Sequence, residues 1–358
     1  MRNLRIKLLS ALCALLLFSA FTLEKKEVVP VFMIGDSTMA DNSMKDENQV
    51  PRLAQFVRYR DEEVYVADYK DNKPCAISFT FDDGLEEHYT VLFPELEKMG
   101  FKGTFWVCGK IIEEKEARQG KSRMTWAQMK EMTDKGQEIS NHGWSHTNLK
   151  RISLAEVKVE VERNDSIIET MIGKKPKTFC YPFNSHTEDI VQIASKGRVG
   201  TRTKQYAVGG DKAKSTLESL DKKVKELMMA GDWGVAMIHG ITYGYDYFSD
   251  PNILWEHLRR VKAQEDKIWV ATFAEVSAYV KERTNVRLDV VKKKSSYKVT
   301  PHLNLDSKLF TVPLTMVVKN GKSPIKVKQA GETLPVRTVG DETIFDFNPY
   351  GGTISIRF

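Results

Sequence analysis

The sequence predicts an α/β fold, in which βα units surround a parallel sheet or barrel, followed by a smaller all-β domain. Between Pro74 and about Thr284, short apolar strand signals alternate with helix signals. After Thr284, runs of Val, Leu, Ile and Phe are separated by Asn-Gly and Gly-Gly turn signals, without a helix pattern. A chain of 358 residues with 41% hydrophobic content is long enough for more than one domain.

The elements of the larger domain follow one another as strand and helix in turn, judged by apolar runs and by helical periodicity. The predicted strands are 76–79, 101–107, 138–142, 178–182, 233–239 and 268–271. The predicted helices are 86–99, 126–135, 153–172, 187–196, 215–229, 251–263 and one that begins at Phe273. Capping boxes mark three helix starts, at Ser153-x-x-Glu156, Ser215-x-x-Glu218 and Thr272-x-x-Glu275. In a barrel of such units, chemistry is expected at the carboxyl ends of the strands.

The first 22 residues resemble an export signal, because Arg2, Arg5 and Lys7 precede an apolar run from Leu8 to Leu23. We therefore expect an exported protein, whether periplasmic, at the cell surface or secreted. An uncleaved membrane anchor is the alternative, since the cleavage site near residues 20–22 is weak. After cleavage, no sequence segment remains that is long and apolar enough for an integral membrane domain.

Charge limits the classes of partner. Without residues 1–22 the formal charge is +3, which is too small to indicate nucleic-acid binding. Residues 285–358 contain twelve Lys and Arg against six Asp and Glu, whereas residues 23–284 contain 39 against 42. A basic β-domain can bind an acidic glycan or a cell surface, although solvated lysines are the simpler interpretation. Cys75 and Cys108 either form a pair or are small buried thiols.

Two adjacent carboxylates, Asp82 and Asp83, lie where the first strand ends and a loop begins. Neighbouring residues at a strand end point in opposite directions, so one carboxylate can bind a metal while the other acts as a base. A polar turn that ends at Gly84 is the simpler alternative for an isolated Asp-Asp-Gly.

Histidines supply partners for these carboxylates. His142 and His146 lie four residues apart after a predicted strand, where both imidazoles can converge on one point. One carboxylate and two histidines leave an open coordination position, which is typical of catalytic zinc and related divalent ions. His239 ends another strand, where it can act as an acid opposite Asp82 as base, bind the metal as a third ligand, or have no chemical role.

Four motifs resemble, in order and spacing, those of the polysaccharide deacetylases with a NodB homology domain, carbohydrate esterase family four. They are Thr80-Phe81-Asp82-Asp83-Gly84, His142-x-x-x-His146, Phe179-Cys180-Tyr181-Pro182-Phe183 and Met237-Ile238-His239. The resemblance spans about residues 74–284. It implies a distorted (β/α) barrel that hydrolyses N- or O-linked acetyl groups on an acetylated glycan with a divalent metal.

The resemblance also implies roles for individual residues. These are Asp82 as general base, Asp83, His142 and His146 as metal ligands, His239 as general acid, and the backbone N–H of Tyr181 as an oxyanion donor in a loop shaped by Pro182. Zinc is the first expectation, and Co²⁺, Ni²⁺ or Mn²⁺ fit similarly. The family motif around Pro182 begins with an Arg that orients the base. Here Cys180 occupies that position, which implies either a subgroup that tunes Asp82 differently or weak activity.

Aromatic side chains near the same rim are candidates for stacking on sugar rings, whose apolar faces suit aromatic planes. They are Trp144, Tyr181, Phe183, Tyr243, Tyr245 and Tyr247. The stretch 243–247 directly follows the strand of His239 and is the best candidate for a substrate loop. Core packing is the alternative for the other aromatic residues.

A separate resemblance concerns residues 31–41, where Gly35-Asp36-Ser37 is similar to the nucleophile block of the SGNH or GDS(L) esterases, especially the rhamnogalacturonan acetylesterase branch. That family also needs an Asp three residues before a late His, and none of the seven histidines has one. We therefore do not expect Ser37 to be a catalyst.

The leading prediction is a metal-dependent hydrolase that removes acetyl groups from a polysaccharide or oligosaccharide. The alternatives are a non-catalytic, metal-containing glycan-binding protein and a serine acetylesterase that uses Ser37. The predicted domains are a signal peptide at 1–22, a connector at 23–73, a catalytic domain at 74–284 and a β-sandwich-like accessory domain at 285–358.

Overall fold

The computed structural model describes residues 63–114, 122–319 and 326–358, all of which fall within one compact unit. The predicted signal peptide and the stretch 31–41 with Ser37 lie outside the described residues. None of the helices in the described ranges is long and apolar enough to cross a membrane.

The first part of the described chain alternates strands with helices, as the sequence predicts. The strands are β1 (Val64–Val66), β2 (Cys75–Phe81), β3 (Thr104–Val107), β4 (Glu138–Asn141), β5 (Thr178–Cys180), β6 (Gly200–Arg202), β7 (Tyr206–Ala207), β8 (Trp233–Ile238) and β9 (Ile268–Val270). The helices are α1 (Phe93–Met99), α2 (Gly109–Glu113), α3 (Trp126–Asp134), α4 (Leu154–Ile172), α5 (Glu188–Ser195), α6 (Leu217–Ala230), α7 (Asn252–Lys262) and α8 (Phe273–Asn285).

The strands β2 to β9 form a parallel sheet in the order β6-β5-β4-β3-β2-β8-β7, with β9 also paired to β2. One edge of β2 pairs with β8 over Ala76–Phe81. The other edge is shared, because β9 pairs near Cys75 and β3 pairs near Phe81. Every residue of β2 is buried, as expected for a strand covered on both faces. The predicted α/β fold class is confirmed as a curled half-barrel, and its strands end at a common rim.

Several element boundaries differ from the sequence prediction. The helix predicted at 86–99 consists of a π-helical segment, His88–Leu92, followed by α1. The capping box predicted at Ser215 lies one residue later, between Thr216 and Ser219. The short elements α2, β6 and β7 were not predicted, because two to five residues carry too little periodicity to detect.

The C-terminal part of the chain forms two antiparallel sheets. Its strands are β10 (Arg287–Lys293), β11 (Ser296–His302), β12 (Leu314–Lys319), β13 (Lys326–Gln329), β14 (Glu332–Thr333), β15 (Arg337–Val339), β16 (Glu342–Phe347) and β17 (Ile354–Arg357). One sheet has the order β10-β11-β17-β13-β14 and the other β1-β12-β16-β15. The all-β prediction for this region is therefore confirmed for the described residues.

The half-barrel and the C-terminal sheets share a hydrophobic core. Strand β1 precedes the half-barrel in the chain but pairs with β12, with Val64 opposite Val318. Tyr279 of α8 packs in the same apolar cluster as Met316 and Phe345, and its hydroxyl donates to the carbonyl of Ala67 at 3.0 Å. One strand of the C-terminal sheets, β1, therefore comes from the segment that was predicted as a connector. The predicted domain limits remain a prediction.

Candidate metal centre and catalytic base

Three predicted ligands converge at the rim of the half-barrel. Asp83 follows β2, and His142 and His146 follow β4. The Oδ1 atom of Asp83 lies 3.2 Å from Nε2 of His146 and 3.7 Å from Nε2 of His142. Asp83 and His146 both have positive φ, at 76° and 55°, which is a strained backbone region for residues other than glycine. With this backbone conformation, both side chains meet at one point.

The donor atoms of this cluster fit a divalent metal ion. Oδ1 of Asp83 is buried, and the ring nitrogens of His146 and His142 are the polar groups that face it among the described residues. Nδ1 of His142 donates to the carbonyl oxygen of Cys180 at 2.9 Å, which leaves the lone pair of Nε2 directed at the cluster. Two imidazole nitrogens and one carboxylate oxygen form a donor set typical of zinc and similar ions.

The protonation states at the cluster suit metal binding. Burial lowers the pKa of His142 to about 4, with the neighbouring His146 adding to the effect, so the imidazole is neutral near pH 7. Burial alone would raise the pKa of Asp83, but His146 and His142 outweigh it and hold that pKa below its usual range. A neutral imidazole and an ionised carboxylate are the forms that bind metals.

A second layer of hydrogen bonds shapes the loop of the two histidines. Glu160 of α4 accepts from the N–H of Ser145 at 2.8 Å and from its hydroxyl at 2.7 Å. Asn141 accepts from the N–H of Gly143 at 2.7 Å and is itself bound by Asn164 at 2.9 Å. The loop is therefore anchored to α4, which fixes the direction of both imidazoles.

The buried carboxylate of Asp82 is bound by Arg202, which the sequence analysis did not identify. Nη1 of Arg202 donates to Oδ1 at 2.7 Å and Nη2 donates to Oδ2 at 2.5 Å. Nη1 also donates to the hydroxyl of Thr80 at 2.8 Å. A guanidinium therefore binds Asp82 although Cys180 occupies the position of the motif Arg. Arg202 of β6 lies opposite Cys180 of β5 in the parallel register and supplies the guanidinium from the next strand.

The ion pair keeps Asp82 ionised. Burial alone would raise the pKa of Asp82, but Arg202, His239 and His142 outweigh it and lower the pKa. Burial alone would likewise lower the pKa of Arg202, but the adjacent carboxylate raises it above its usual value. Nε2 of His239 lies 3.7 Å from Oδ2 of Asp82, so the candidate acid and base are neighbours.

Two residues that the sequence analysis did not single out hold the loop after His239. Glu87 accepts from the N–H groups of Ile241 at 2.6 Å and Thr242 at 2.8 Å, and from the hydroxyl of Thr242 at 2.8 Å. Nε2 of the buried His88 donates to the carbonyl of His239 at 2.7 Å. Burial lowers the pKa of His88 to about 4, so this ring is neutral. The only sequence signal was their proximity to Asp82.

The candidate sugar-binding aromatics divide into exposed and buried groups. Phe183 is 63% exposed, and its ring centroid lies 4.7 Å from that of His146. Tyr245 is 52% exposed and lies 4.9 Å from the ring of His239. Trp144, in contrast, is buried beneath Arg163, whose guanidinium lies 4.0 Å from the ring centroid. Tyr181 and Pro182 are buried, Tyr243 is half-buried, and Tyr247 is exposed.

An α/β half-barrel that gathers an Asp-His-His cluster and a buried carboxylate at one rim is the arrangement of a candidate metallohydrolase. Residues 69–199 match the family described as polysaccharide deacetylase. Over these residues the chain is therefore similar to the polysaccharide deacetylase family. The resemblance of residues 31–41 to the GDS block is not borne out, since the family match begins at residue 69.

Similar proteins come from several members of the genus Bacillus. The chain is 24% identical over 316 residues to a gellan lyase from Bacillus sp., which covers 77% of this chain and 12% of that protein. It is 28% identical over 146 residues to the putative polysaccharide deacetylase YxkH of Bacillus subtilis, 40% of this chain and 50% of that protein. The peptidoglycan deacetylase PdaC of Bacillus subtilis has a solved structure with 21% identity and a TM-score of 0.44, covering 58% and 92% of the two chains. The match spans half or less of the length of the gellan lyase and of YxkH.

Proposed function

We propose that this chain is a metal-dependent hydrolase that removes acetyl groups, on nitrogen or oxygen, from a polysaccharide or oligosaccharide. The observation that carries the proposal is the position of Asp82. Its ionised carboxylate, bound by Arg202, lies at the same rim as the Asp83, His142 and His146 cluster. The match to the polysaccharide deacetylase family supports the reaction class.

Asp83, His142 and His146 would hold the metal ion. Zinc is the first choice for this donor set, and Co²⁺, Ni²⁺ or Mn²⁺ are alternatives. Such an ion supplies Lewis acidity toward water and the acetyl carbonyl.

Asp82 acts as the general base and accepts the proton of the attacking water. Its lowered pKa keeps the carboxylate ionised near pH 7, so that it is able to accept a proton. Arg202 fixes both carboxylate oxygens, so the base is oriented before the substrate arrives. His239 is the general acid and donates a proton to the departing nitrogen or oxygen atom.

The backbone N–H of Tyr181 is the proposed oxyanion donor. Pro182 follows it in a tight turn in which Phe183 and Asn184 both have positive φ, at 58° and 51°. Two consecutive strained residues are consistent with a loop held in one shape for a binding purpose.

Phe183 and Tyr245 are the proposed sugar-binding residues. Both are exposed, and their rings pack against His146 and His239, so the proposed site has an open aromatic side chain beside each of the two histidines. Tyr243 is a weaker candidate because it is half-buried. Trp144 is not proposed to bind sugar, because Arg163 covers its ring. An exported location fits a glycan substrate and is part of the proposal.

The test is acetate release from acetylated xylan, chitooligosaccharide and peptidoglycan, with Asp82→Asn beside the wild type. We expect the variant to lose release by about 10²-fold or more while it still binds Zn²⁺, because the metal ligands are intact. Asp221→Asn is the control, since Asp221 of α6 is also bound by an arginine, Arg260 of α7, and contacts none of the residues assigned to the site. Full activity in Asp82→Asn would contradict the assigned base.

Chelation separates the proposal from its alternatives. We expect a chelator to abolish acetate release and added Zn²⁺ to restore it. Chelator-insensitive release that Ser37→Ala abolishes would support the serine esterase instead. Glycan binding without release, across all three substrates and with metal bound, would support the non-catalytic binding protein.

A further inference from the structure

The outer face of the five-stranded sheet bears a cluster of cations that the proposed reaction does not use. A row of paired residues crosses four strands, with Lys293 opposite Ser296, Ser296 opposite Arg357, and Arg357 opposite Lys326. Paired residues of neighbouring strands point to the same face of a sheet. The three cations of this row therefore project together from one face.

A second row runs parallel to the first, two residues further along the strands. In it Val291 lies opposite Lys298, Lys298 opposite Ser355, and Ser355 opposite Lys328. Together the two rows form what we call the basic face. Its cations are Lys293, Lys298, Lys326, Lys328 and Arg357.

The basic face points to solvent. The residues between its members along the strands, such as Tyr297, Val327 and Ile356, are buried in the sandwich core. Four of its cations are exposed, and Lys328 is half-buried. Alternation along the strands therefore separates an apolar inner side from a charged outer side.

The charge of the basic face is not compensated by the part of the chain that the structure describes, since none of its five cations forms an ion pair there. Asp289, on the same side of β10, is bound by Arg287 and His302 at 2.8 Å each. Lys292 points to the opposite side and pairs with Glu63. Asp289 and Glu63 are thus paired with cations that do not belong to the basic face.

The spacing of the cations favours a ligand with repeated charges. Neighbouring strands are about 4.8 Å apart and same-face residues along a strand about 7 Å apart, so the basic face presents cations at intervals of roughly 5–10 Å. Ser296 and Ser355 lie between them as small hydroxyl donors. A linear chain with an anionic group on successive units can contact several of these cations at once.

We propose that the basic face binds an anionic polysaccharide, with a negatively charged group on successive sugars. Charge complementarity argues for the anion, and three features argue against other polyanions. Val291 is the apolar side chain in the two rows, which offers little to insert into a membrane. The rows contain no Trp, Tyr or Phe on which nucleic-acid bases stack, and the described sandwich has no helix to enter a duplex groove. This site lies outside the proposed metal centre, and a polymer held there would raise its concentration near the half-barrel.

The test is affinity electrophoresis of the full chain through gels that contain polygalacturonate or neutral dextran. The face variant combines Lys298→Gln, Lys328→Gln and Arg357→Gln. The matched control combines Lys158→Gln, Lys222→Gln and Lys225→Gln, which removes the same charge from exposed helix positions. We expect retention by polygalacturonate, not dextran, with affinity at least about tenfold weaker in the face variant than in the control at low salt.

Raised salt should weaken retention of the wild type, because the contact is ionic. Thermal unfolding should show that both variants are folded. The proposal would be overturned by absent retention, by equal retention on dextran, by equal losses in the two variants, or by tighter binding to phosphatidylglycerol vesicles or duplex DNA. The readout is binding alone, so its failure is distinct from failure of the deacetylase proposal, which acetate release measures.

Discussion

The guanidinium of Arg202 binds both carboxylate oxygens of Asp82, and the two residues are only 1% and 2% exposed. A buried bidentate pair of this kind fixes orientation as well as charge. The guanidinium comes from β6, directly opposite Cys180 of β5. Asp82, the proposed base, therefore has a guanidinium partner that comes from a neighbouring strand.

Replacing Arg202 should alter both the rate and its pH dependence. In Arg202→Lys the charge remains but the two-pronged contact is lost, so we expect kcat for acetate release to fall by about 10²-fold. Asp82 has a lowered pKa, and weaker pairing raises it. As the pH is lowered, Arg202→Lys should therefore lose its activity at a higher pH than the wild type does. A pH–rate profile measures both effects.

The matched control for that variant is Arg198→Lys. Arg198 is also buried and makes a bidentate contact, with Asp165 at 2.8 and 2.6 Å. We expect Arg198→Lys to lose stability without moving the acid limb of the profile. Identical profiles for the two variants would mean that Arg202 acts only through stability.

Moving the arginine from position 202 to position 180 tests whether a guanidinium at either position can serve Asp82. Cys180→Arg alone should be destabilised by several kcal/mol, because a second guanidinium must enter a filled, buried site. Combined with Arg202→Ala, which vacates the space, the same substitution should recover part of the kcat/KM that Arg202→Ala loses. The measurement is a double-mutant cycle on acetate release.

Cys180→Ser with Arg202→Ala is the control for the exchange, since serine brings no charge to Asp82. We expect it to recover nothing. If it recovers as much as the arginine exchange, relief of crowding and not the guanidinium restores activity.

Glu87 should act on the rate through the loop of His239. In Glu87→Gln one of its two oxygens becomes an NH₂ group that faces a backbone N–H of Ile241 or Thr242. We expect a stability loss of about 1–3 kcal/mol and a fall in kcat of about tenfold with KM little changed. Glu86→Gln, at the neighbouring half-buried position, is the control and should leave kcat unchanged. A change in KM alone would argue against a positioning role.

Glu282 should make the stability of the fold depend on pH. Burial raises its pKa from 4.5 to about 7, and its Oε2 has no hydrogen-bond partner among the described residues. Because the folded-state pKa lies above the unfolded one, the contribution of this group is complete below pH 4.5 and is lost as the pH rises through 7. The loss approaches about 3 kcal/mol when the carboxyl is ionised.

Urea denaturation at pH 5 and pH 8 measures this effect. We expect Glu282→Gln to show a smaller drop in the free energy of unfolding between the two pH values than the wild type. Its Oε1 can still accept from the N–H of Val312. Glu169→Gln, at an exposed position of α4, should show the same drop as the wild type. Equal drops in all three proteins would contradict the assignment to Glu282.

The predictable part of the site consists of residues close in sequence to a strand end. Asp83 follows β2, and His142 and His146 follow β4. Because parallel strands end at one rim, their positions in the sequence were enough to predict that these residues lie close together. Glu87 and His88 were missed, because nothing in their local pattern distinguishes a loop clamp from an ordinary helix start. Trp144 was expected at the open rim but lies beneath Arg163, since the pattern does not say which face of a loop is covered.

The sequence by itself determined the order of strands and helices, the change to an all-β region after α8, and the carboxylate and histidines at the strand ends. These features depend on local periodicity and on short motifs. Only the tertiary structure decided which guanidinium meets Asp82, because Arg202 is 120 residues away and reaches it through the register of a three-residue strand. The same holds for the pairing of β1 with β12, because the whole half-barrel lies between these two strands in the sequence. Such contacts follow from strand pairing between distant segments, which local sequence patterns do not encode.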